Sequence, residues 1–488
     1  MLFNSFPFLL QFLPIALFGY FLISKIAPKA GIFFLALCSI VFYIYWDPRF
    51  LPLLLLSIVF NFFVGKAIAL SGSKLLLFLG LGTNLACLIF FKYAGWLVGT
   101  AALLGDRPDW SFSVTLPLGI SFFTFTQIAF LVDSYSKRAK EASFNNYLLF
   151  VTYFPHLIAG PIIHHAEMMP QFANGVKRVL GPNLISGGLL FLIGAFKKVV
   201  FADSVALFVS PAFDGNLSNL DFSSAWIGVL SYTLQIYFDF SAYTDMALGL
   251  SRMFNIELPL NFNSPYKSTS IIEFWHRWHM TLSRFLRDYL YIPLGGNRRG
   301  PALRYVNLFV TMLLGGLWHG AGATYLVWGG LHGAYLILNH ALCSIKILRN
   351  YADTLVFKIS GNVVTMLAVM VAWVFFRAND LESALHILHT MMSPSSDLSS
   401  GVWQKDIPAG VLPHLGNEAW WWIAFLFPVV FLAPNAQTIV GWLQQRNLFH
   451  CRFQKASFIL GLTIFVVIFI VSVTGVRNAA SPFIYFNF

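Results

Sequence analysis

The sequence predicts an all-α, multi-pass membrane protein, and three observations carry that expectation: its composition, the lengths of its apolar runs, and the placement of cations between them. Hydrophobic residues make up 58% of the 488 positions and Asp, Glu, Lys and Arg only 10%, against roughly 45–50% and 25% in soluble domains. Mean hydropathy is +0.71. A soluble core of this size cannot hide so much apolar surface, so lipid must face much of the chain. Soluble enzymes, disordered scaffolds and secreted disulfide modules are excluded. Cys38, Cys87, Cys343 and Cys451 have no paired spacing and are expected to be membrane-buried bystanders. The net charge of +11 comes without a long basic arm, so no nucleic-acid partner is expected. Cytoplasmic loops facing anionic membrane lipid account for the excess.

A membrane-crossing helix needs about 20 mainly apolar residues. The first five runs lie near 7–24, 31–46, 49–65, 75–97 and 112–133. With the N-terminus outside, Lys25, Lys29, Lys66, Lys74, Lys137, Arg138 and Lys140 fall inside, and only Arg49 and Arg107 fall outside. The positive-inside rule selects that orientation and places 134–146 and 261–303 inside. The first run lacks a charged n-region and an Ala-x-Ala site, so it is expected to be retained. Further apolar stretches lie near 147–163, 183–201, 222–250, 304–318, 323–345, 360–377, 418–434 and 457–475. In Tyr153-Phe154-Pro155-His156-Leu157-Ile158-Ala159-Gly160-Pro161, two prolines and a glycine break a helix twice. Such backbone is tolerated at membrane depth only inside protein or against a cavity, which predicts a re-entrant element lining a cavity. The expectation is about 11–13 membrane elements, re-entrant and interfacial ones included. They form one domain over 1–488: N-terminal spans in 1–133, a motif-bearing core in 134–345 and C-terminal spans in 346–488.

The polar residues need separate explanations. Between Asn261 and Arg304, Trp275, Trp278, Phe285, Tyr289 and Tyr291 alternate with Arg277, Arg284, Arg287, Arg298 and Arg299, the pattern of helices lying in the membrane interface. Membrane attachment alone would explain the arginines. Arg298 and Arg299, however, sit on the turn Leu294-Gly295-Gly296-Asn297-Arg298-Arg299-Gly300, whose free N–H groups and guanidiniums suit a phosphate. His276 and His279, three apart, would share a helical face. The pair by itself does not make a metal site, so none is expected, and His276 reads as structural. His319 ends an apolar span in Gly315-Gly316-Leu317-Trp318-His319-Gly320-Ala321-Gly322. The pairs Gly316/Gly320 and Gly329/Gly333 permit close helix approach. Thirteen residues, about 1300° of turn, would set His319 and His332 on opposite faces of one continuous helix, so they are not expected to serve one site. Asp239 and Asp245, six apart, turn away from each other. Each either pairs with an arginine or a helix N-terminus, or belongs to a proton relay.

Three motifs occur in order: Asn261-Phe262-Asn263-Ser264-Pro265-Tyr266, Glu273-Phe274-Trp275-His276-Arg277-Trp278-His279 and Leu317-Trp318-His319-Gly320. Together they resemble the membrane-bound O-acyltransferase family, nearest the bacterial alginate O-acetylation branch, with teichoic-acid D-alanylation transferases as more distant relatives. Phe238-Asp239-Phe240-Ser241 and Arg287-Asp288-Tyr289 fit as well. The resemblance implies tilted helices around a central funnel or tunnel. It carries the family histidine onto His319 and a second polar histidine onto His279, with Asn263 and Trp318 as candidate substrate contacts. His276 stands where the family pattern has an arginine.

Acyl transfer from a thioester needs a base for the attacking hydroxyl and a donor for the developing oxyanion, and histidine serves as such a base near neutral pH. The resemblance implies acetyl-coenzyme A as donor substrate with no bound cofactor, and an extracytoplasmic polysaccharide as acceptor. Arg298 and Arg299 would meet the coenzyme phosphates. Partners expected from the branch are an extracytoplasmic SGNH-type acetyltransferase and the polysaccharide synthesis and export machinery. The location would be a bacterial inner membrane. A proton-coupled transporter or flippase is the alternative, though the sequence shows no inverted repeat of the kind transporters use.

Overall fold

The computed structural model describes residues 1–105, 112–139, 143–175, 177–298, 300–345, 350–351, 353–393, 415–446 and 483–484. Every regular element among them is helical. The first helices are α1 (Leu13–Ile26), continued from a π-helical turn at Phe8–Phe12, then α2 (Pro28–Ile44), α3 (Leu51–Ser71), α4 (Lys74–Leu88), α5 (Ala94–Leu104) and α6 (Ile120–Tyr135). Gly72 closes α3 at φ +64°, and the Ser73 hydroxyl accepts the Leu76 N–H to start α4. Only a residue that tolerates positive φ, followed by an N-cap, turns the chain so tightly. Asn61 and Asn84 then exchange amide hydrogen bonds of 3.1 and 2.7 Å between the two helices.

The predicted break at 147–163 is present. Helix α7 (Phe144–Thr152) is nine residues long and stops before Tyr153. The turn that follows is packed in protein rather than lining a cavity: the Phe154 ring lies against Phe3, Phe8, Phe12 and Phe42, and His156 Nε2 is 2.9 Å from the Phe150 carbonyl oxygen. Its polar backbone is thereby enclosed, which is the other condition under which such a break is stable.

The chain continues through α8 (His165–Asn174), α9 (Gly181–Phe196), the short α10 (Asp203–Ala206) and α11 (Ser210–Phe213), and α12 (Phe222–Met253). Next come α13 (Ile271–Arg277), α14 (Met280–Leu286), α15 (Pro301–His319), α16 (Ala323–Ser344), α17 (Leu355–Arg377), α18 (Leu381–Met392), α19 (Leu415–Leu432) and α20 (Ala436–Gln445). Among the described residues, five continuous helices, Phe8–Ile26, Pro48–Ser71, Lys74–Ala102, Gly181–Ala206 and Leu355–Arg377, are long and apolar enough to cross a membrane. The pair Glu418–Leu432 and Ala436–Gln445 adds a sixth if its 51° bend is one broken span. The predicted 11–13 membrane elements also included re-entrant and interfacial ones, and several apolar runs are divided among short helices or diluted by polar residues. The run at 457–475 lies outside the described residues. Of the described thiols, Cys38 is buried in the protein, Cys87 is half-buried within the Lys74–Ala102 helix and Cys343 is exposed; Cys451 lies outside the described residues.

The helices group into two compact units that interleave along the sequence: 1–195, 243–260 and 436–487 in one, and 196–242 and 261–435 in the other. In the first, Asp245 accepts a hydrogen bond from Gln437 Nε2, and Gly187 lies against Gly249. In the second, a π-helical turn at Lys197–Ala202 turns Lys198 inward, where Nζ meets Asp239 at 2.5 Å and Asp203 at 3.0 Å, all three buried. Asp239 and Asp245 thus meet different side chains, Lys198 and Gln437.

Candidate active site

The second unit's site is built on a helix that stops. Ser270 caps α13, its hydroxyl accepting the Glu273 N–H, while Glu273 accepts from the Thr269 N–H and hydroxyl and pairs with Arg277 at 2.8 Å. Partial burial alone would raise the Glu273 pKa, but the Thr269 bonds and Arg277 hold it below its ordinary value. The helix ends at Arg277, and His279 takes φ +42°, ψ +51°, a conformation few non-glycine residues adopt. The Asn261–Asn263 strand of chain receives the freed backbone groups. The Asn263 N–H donates to the Arg277 carbonyl and the Met280 N–H to the Asn261 carbonyl, both at 2.9 Å.

That reversal separates the two histidines expected to share a face. His276 stays exposed, whereas His279 is fully buried. Asn261 Oδ1 accepts from Thr281 N–H (3.2 Å) and Oγ1 (2.8 Å) and lies 3.0 Å from His279 Nδ1. The Thr281 N–H requires an acceptor there, which fixes the amide oxygen on that side. His279 Nδ1 must then donate, leaving the Nε2 lone pair as the basic site of the neutral ring. His279 lies between short helices rather than in a crossing helix, and burial pushes its pKa well below the ordinary value, so the ring is neutral at physiological pH.

His319, 2% exposed, terminates α15. Its ring centroid is 6.5 Å from that of His279, with Trp318 beside both at 4.9 and 6.1 Å. Trp328 and Phe376 close on His319 at 5.0 and 5.1 Å, and Phe240 meets His279 edge-on at 4.8 Å. Close helix approach makes this enclosure possible. A Cβ on Gly316 would strike the Tyr325 carbonyl and the Gly329 backbone, and one on Gly333 would strike Phe309. His332 joins the same aromatic cluster, 4.7 Å from Trp328, with Nδ1 accepting the Trp275 indole N–H at 3.3 Å. His319 and His332 share Trp328 as a neighbour because the chain is extended at Gly320 and Gly322, so α15 and α16 are separate helices and the one-helix rotation does not apply.

A cavity of about 530 Å³ opens in the same unit, with Arg284, Arg287, Asn297, Arg304, His276 and Met280 among its lining. Met280 follows His279 directly. Met312, also in the wall, is about 10 Å along α15 from His319. Arg287 pairs with Asp288 at 2.7 Å, and Arg304 donates to His340 Nδ1 at 2.9 Å. Arg298 is exposed and is not among the lining residues, and Arg299 lies outside the described residues. Asn263 is exposed, its Oδ1 accepting from Asn435 at 2.9 Å, and it does not join the histidine pair. Trp318 does. The sequence reading missed Asn261 as the residue holding His279. It also read Arg284 only as an interfacial cation and gave Arg304 no role, although the spacing of arginines among aromatics marked the segment.

A model of the membrane-bound O-acyltransferase family matches residues 40–379. The chain is 44% identical to a peptidoglycan O-acetyltransferase of Helicobacter pylori over 424 residues, 80% of each chain. It is 40% identical to a probable alginate O-acetylase, AlgI, of Pseudomonas aeruginosa over 415 residues, 83% of this chain and 76% of that one. A teichoic acid D-alanyltransferase of Bacillus subtilis is 28% identical over 233 residues, 45% of this chain and 58% of that one.

Proposed function

Because the chain belongs to the membrane-bound O-acyltransferase family, we propose that this O-acyltransferase moves acetyl from acetyl-coenzyme A across a bacterial inner membrane for O-acetylation of an extracytoplasmic glycan. The observation that carries the reading is the buried His279–His319 pair in the same unit as an arginine-lined cavity. Relatives named for acetylation of peptidoglycan and of alginate support an acetyl donor and a glycan acceptor.

In the proposed step His319 takes the proton of the acceptor hydroxyl as its oxygen bonds to the thioester carbonyl carbon. The carbon–sulfur bond then breaks, and the proton passes from His319 to the departing thiolate. His279 supports this chemistry by its fixed position beside His319 and Trp318. The cavity's Arg284 and Arg304, with Arg298 and its sequence neighbour Arg299, supply cations for the coenzyme phosphates. With the N-terminus outside, this segment is cytoplasmic. The acceptor hydroxyl of this step belongs to a separate SGNH-type transferase, which then passes the acetyl group to the glycan.

His319→Ala tests the reading. A general base contributes ~10²–10⁴-fold, so the purified variant should insert and melt like the parent yet release thiol from acetyl-coenzyme A at least ~10²-fold more slowly. His279→Ala should be intermediate and His332→Ala milder. A stable His319→Ala protein with near-parental turnover would remove His319 from the mechanism and make His279 the leading base.

A further inference from the structure

Outside the candidate site, one face of α1 borders a groove of about 520 Å³, all of it within the first unit. Pro14, Leu17, Phe18, Phe21, Leu22 and Lys25 line it, at spacings of three and four residues that place them on a single helical face. Its two ends differ. The Pro14 end is apolar, whereas Lys25, in the last turn of α1, meets Lys177 and Arg178 from the loop that precedes α9. No carboxylate lines the groove.

The cationic end is built rather than merely exposed. Lys177 Nζ donates to the Gln171 and Phe172 carbonyls at 3.2 and 2.8 Å. Asn255 Nδ2 holds the Arg178 carbonyl at 2.7 Å, and Asn183 donates to Asn255 Oδ1 at 3.0 Å. Burial pushes the Lys177 ammonium down to about 8, a cost that an adjacent anion would offset. From Pro14 to Lys25 the groove runs about 16 Å along the helix, which is half of the ~30 Å hydrocarbon core and so the depth of one leaflet.

We propose that this groove is a binding site for one anionic phospholipid, its phosphate held by Lys25, Lys177 and Arg178 and an acyl chain laid along Leu22, Phe18 and Pro14. A zwitterionic lipid matches the groove but not the unopposed positive charge, and a free phosphate matches the charge but leaves the apolar length unused. On the proposed topology the leaflet is the cytoplasmic one, where anionic lipid attracts basic residues.

Native mass spectrometry of the full chain, titrated in detergent with palmitoyl-oleoyl phosphatidylglycerol or the matching phosphatidylcholine, tests the assignment. Wild type should bind phosphatidylglycerol preferentially. Lys25→Gln/Arg178→Gln, which removes two head groups that are not ion-paired to any described residue, should weaken that binding roughly thirtyfold while leaving phosphatidylcholine binding unchanged. Equal binding of the two lipids by wild type, or unchanged phosphatidylglycerol affinity in the double variant, would overturn the proposal. Displacement of the lipid by an equal concentration of inorganic phosphate would overturn it as well, in favour of a free-anion site.

Discussion

His279 holds a left-handed backbone conformation that costs of order 1–3 kcal/mol unless its surroundings impose it. Asn261 imposes it twice, through its carbonyl on Met280 and its side chain on Thr281 and His279. Asn261→Ala would leave the Thr281 N–H and the His279 ring without that acceptor, at about 1–3 kcal/mol for each buried group left unsatisfied. The expected result is a lower melting temperature together with a kcat loss larger than any change in the donor KM, because a misaimed ring weakens the reacting geometry more than ground-state binding. Steady-state kinetics beside thermal unfolding check this, and an unchanged kcat would show that Asn261 does not position His279. The importance of Asn261 was hard to read from sequence. Asn261 and Asn263 stand two apart in the same motif, and only the pairing of this strand with the broken α13–α14 turn selects the first over the second.

At the scale of elements, the site depends on how closely α15 and α16 approach. Gly316 and Gly329 meet backbone to backbone, and the pattern of small residues announced this contact in the sequence. Overpacking a closed contact costs typically 1–3 kcal/mol. Gly329→Leu should therefore lower thermal stability by at least that amount and weaken the enclosure of His319, with activity falling alongside. A variant that melts and turns over like wild type would mean that the two helices do not need this approach. The π-helical turns were not legible in the same way. The one at Lys197–Ala202 turns Lys198 toward Asp239 and Asp203, and the one at Arg287–Tyr291 sets Arg287 and Tyr291 on the cavity wall. A one-residue insertion into the helical hydrogen-bond ladder leaves no compositional mark, and regular 3.6-residue spacing misplaces whatever follows it.

For the whole molecule, the spans fit a lipid solvent in their surfaces as well as their lengths. Phe18, Leu56, Leu70 and Val364 are all more than 60% exposed, a cost that only a hydrocarbon surrounding removes. The orientation in that lipid is a separate matter, argued from the seven cations assigned inside against two outside in the early loops. Replacing Lys137 with cysteine in a Cys343→Ser background, since Cys343 is exposed, should give a thiol protected from a membrane-impermeant maleimide in intact cells and labelled once the membrane is opened. Labelling from the outer face of intact cells would reverse the topology, and with it the cytoplasmic placement of the arginine-lined cavity.

The sequence by itself determined that this chain is a helical membrane protein and roughly where its long apolar helices lie, and its ordered Trp-His motifs pointed by resemblance to an O-acyltransferase. The helical membrane character and the long apolar helices follow from local composition and spacing, whereas the acyltransferase assignment rests on the resemblance of its ordered motifs to a known family. The tertiary structure decided which polar groups meet. It separated His276 from His279 by a backbone reversal, brought His319, His332 and Trp328 into one aromatic cluster across an extended break, set Lys198 against Asp239, and placed Arg284 and Arg304 rather than Arg298 in the cavity wall. Each of those outcomes depends on contacts between residues distant in sequence or on a break in helical register. Periodicity within one element carries no information about either.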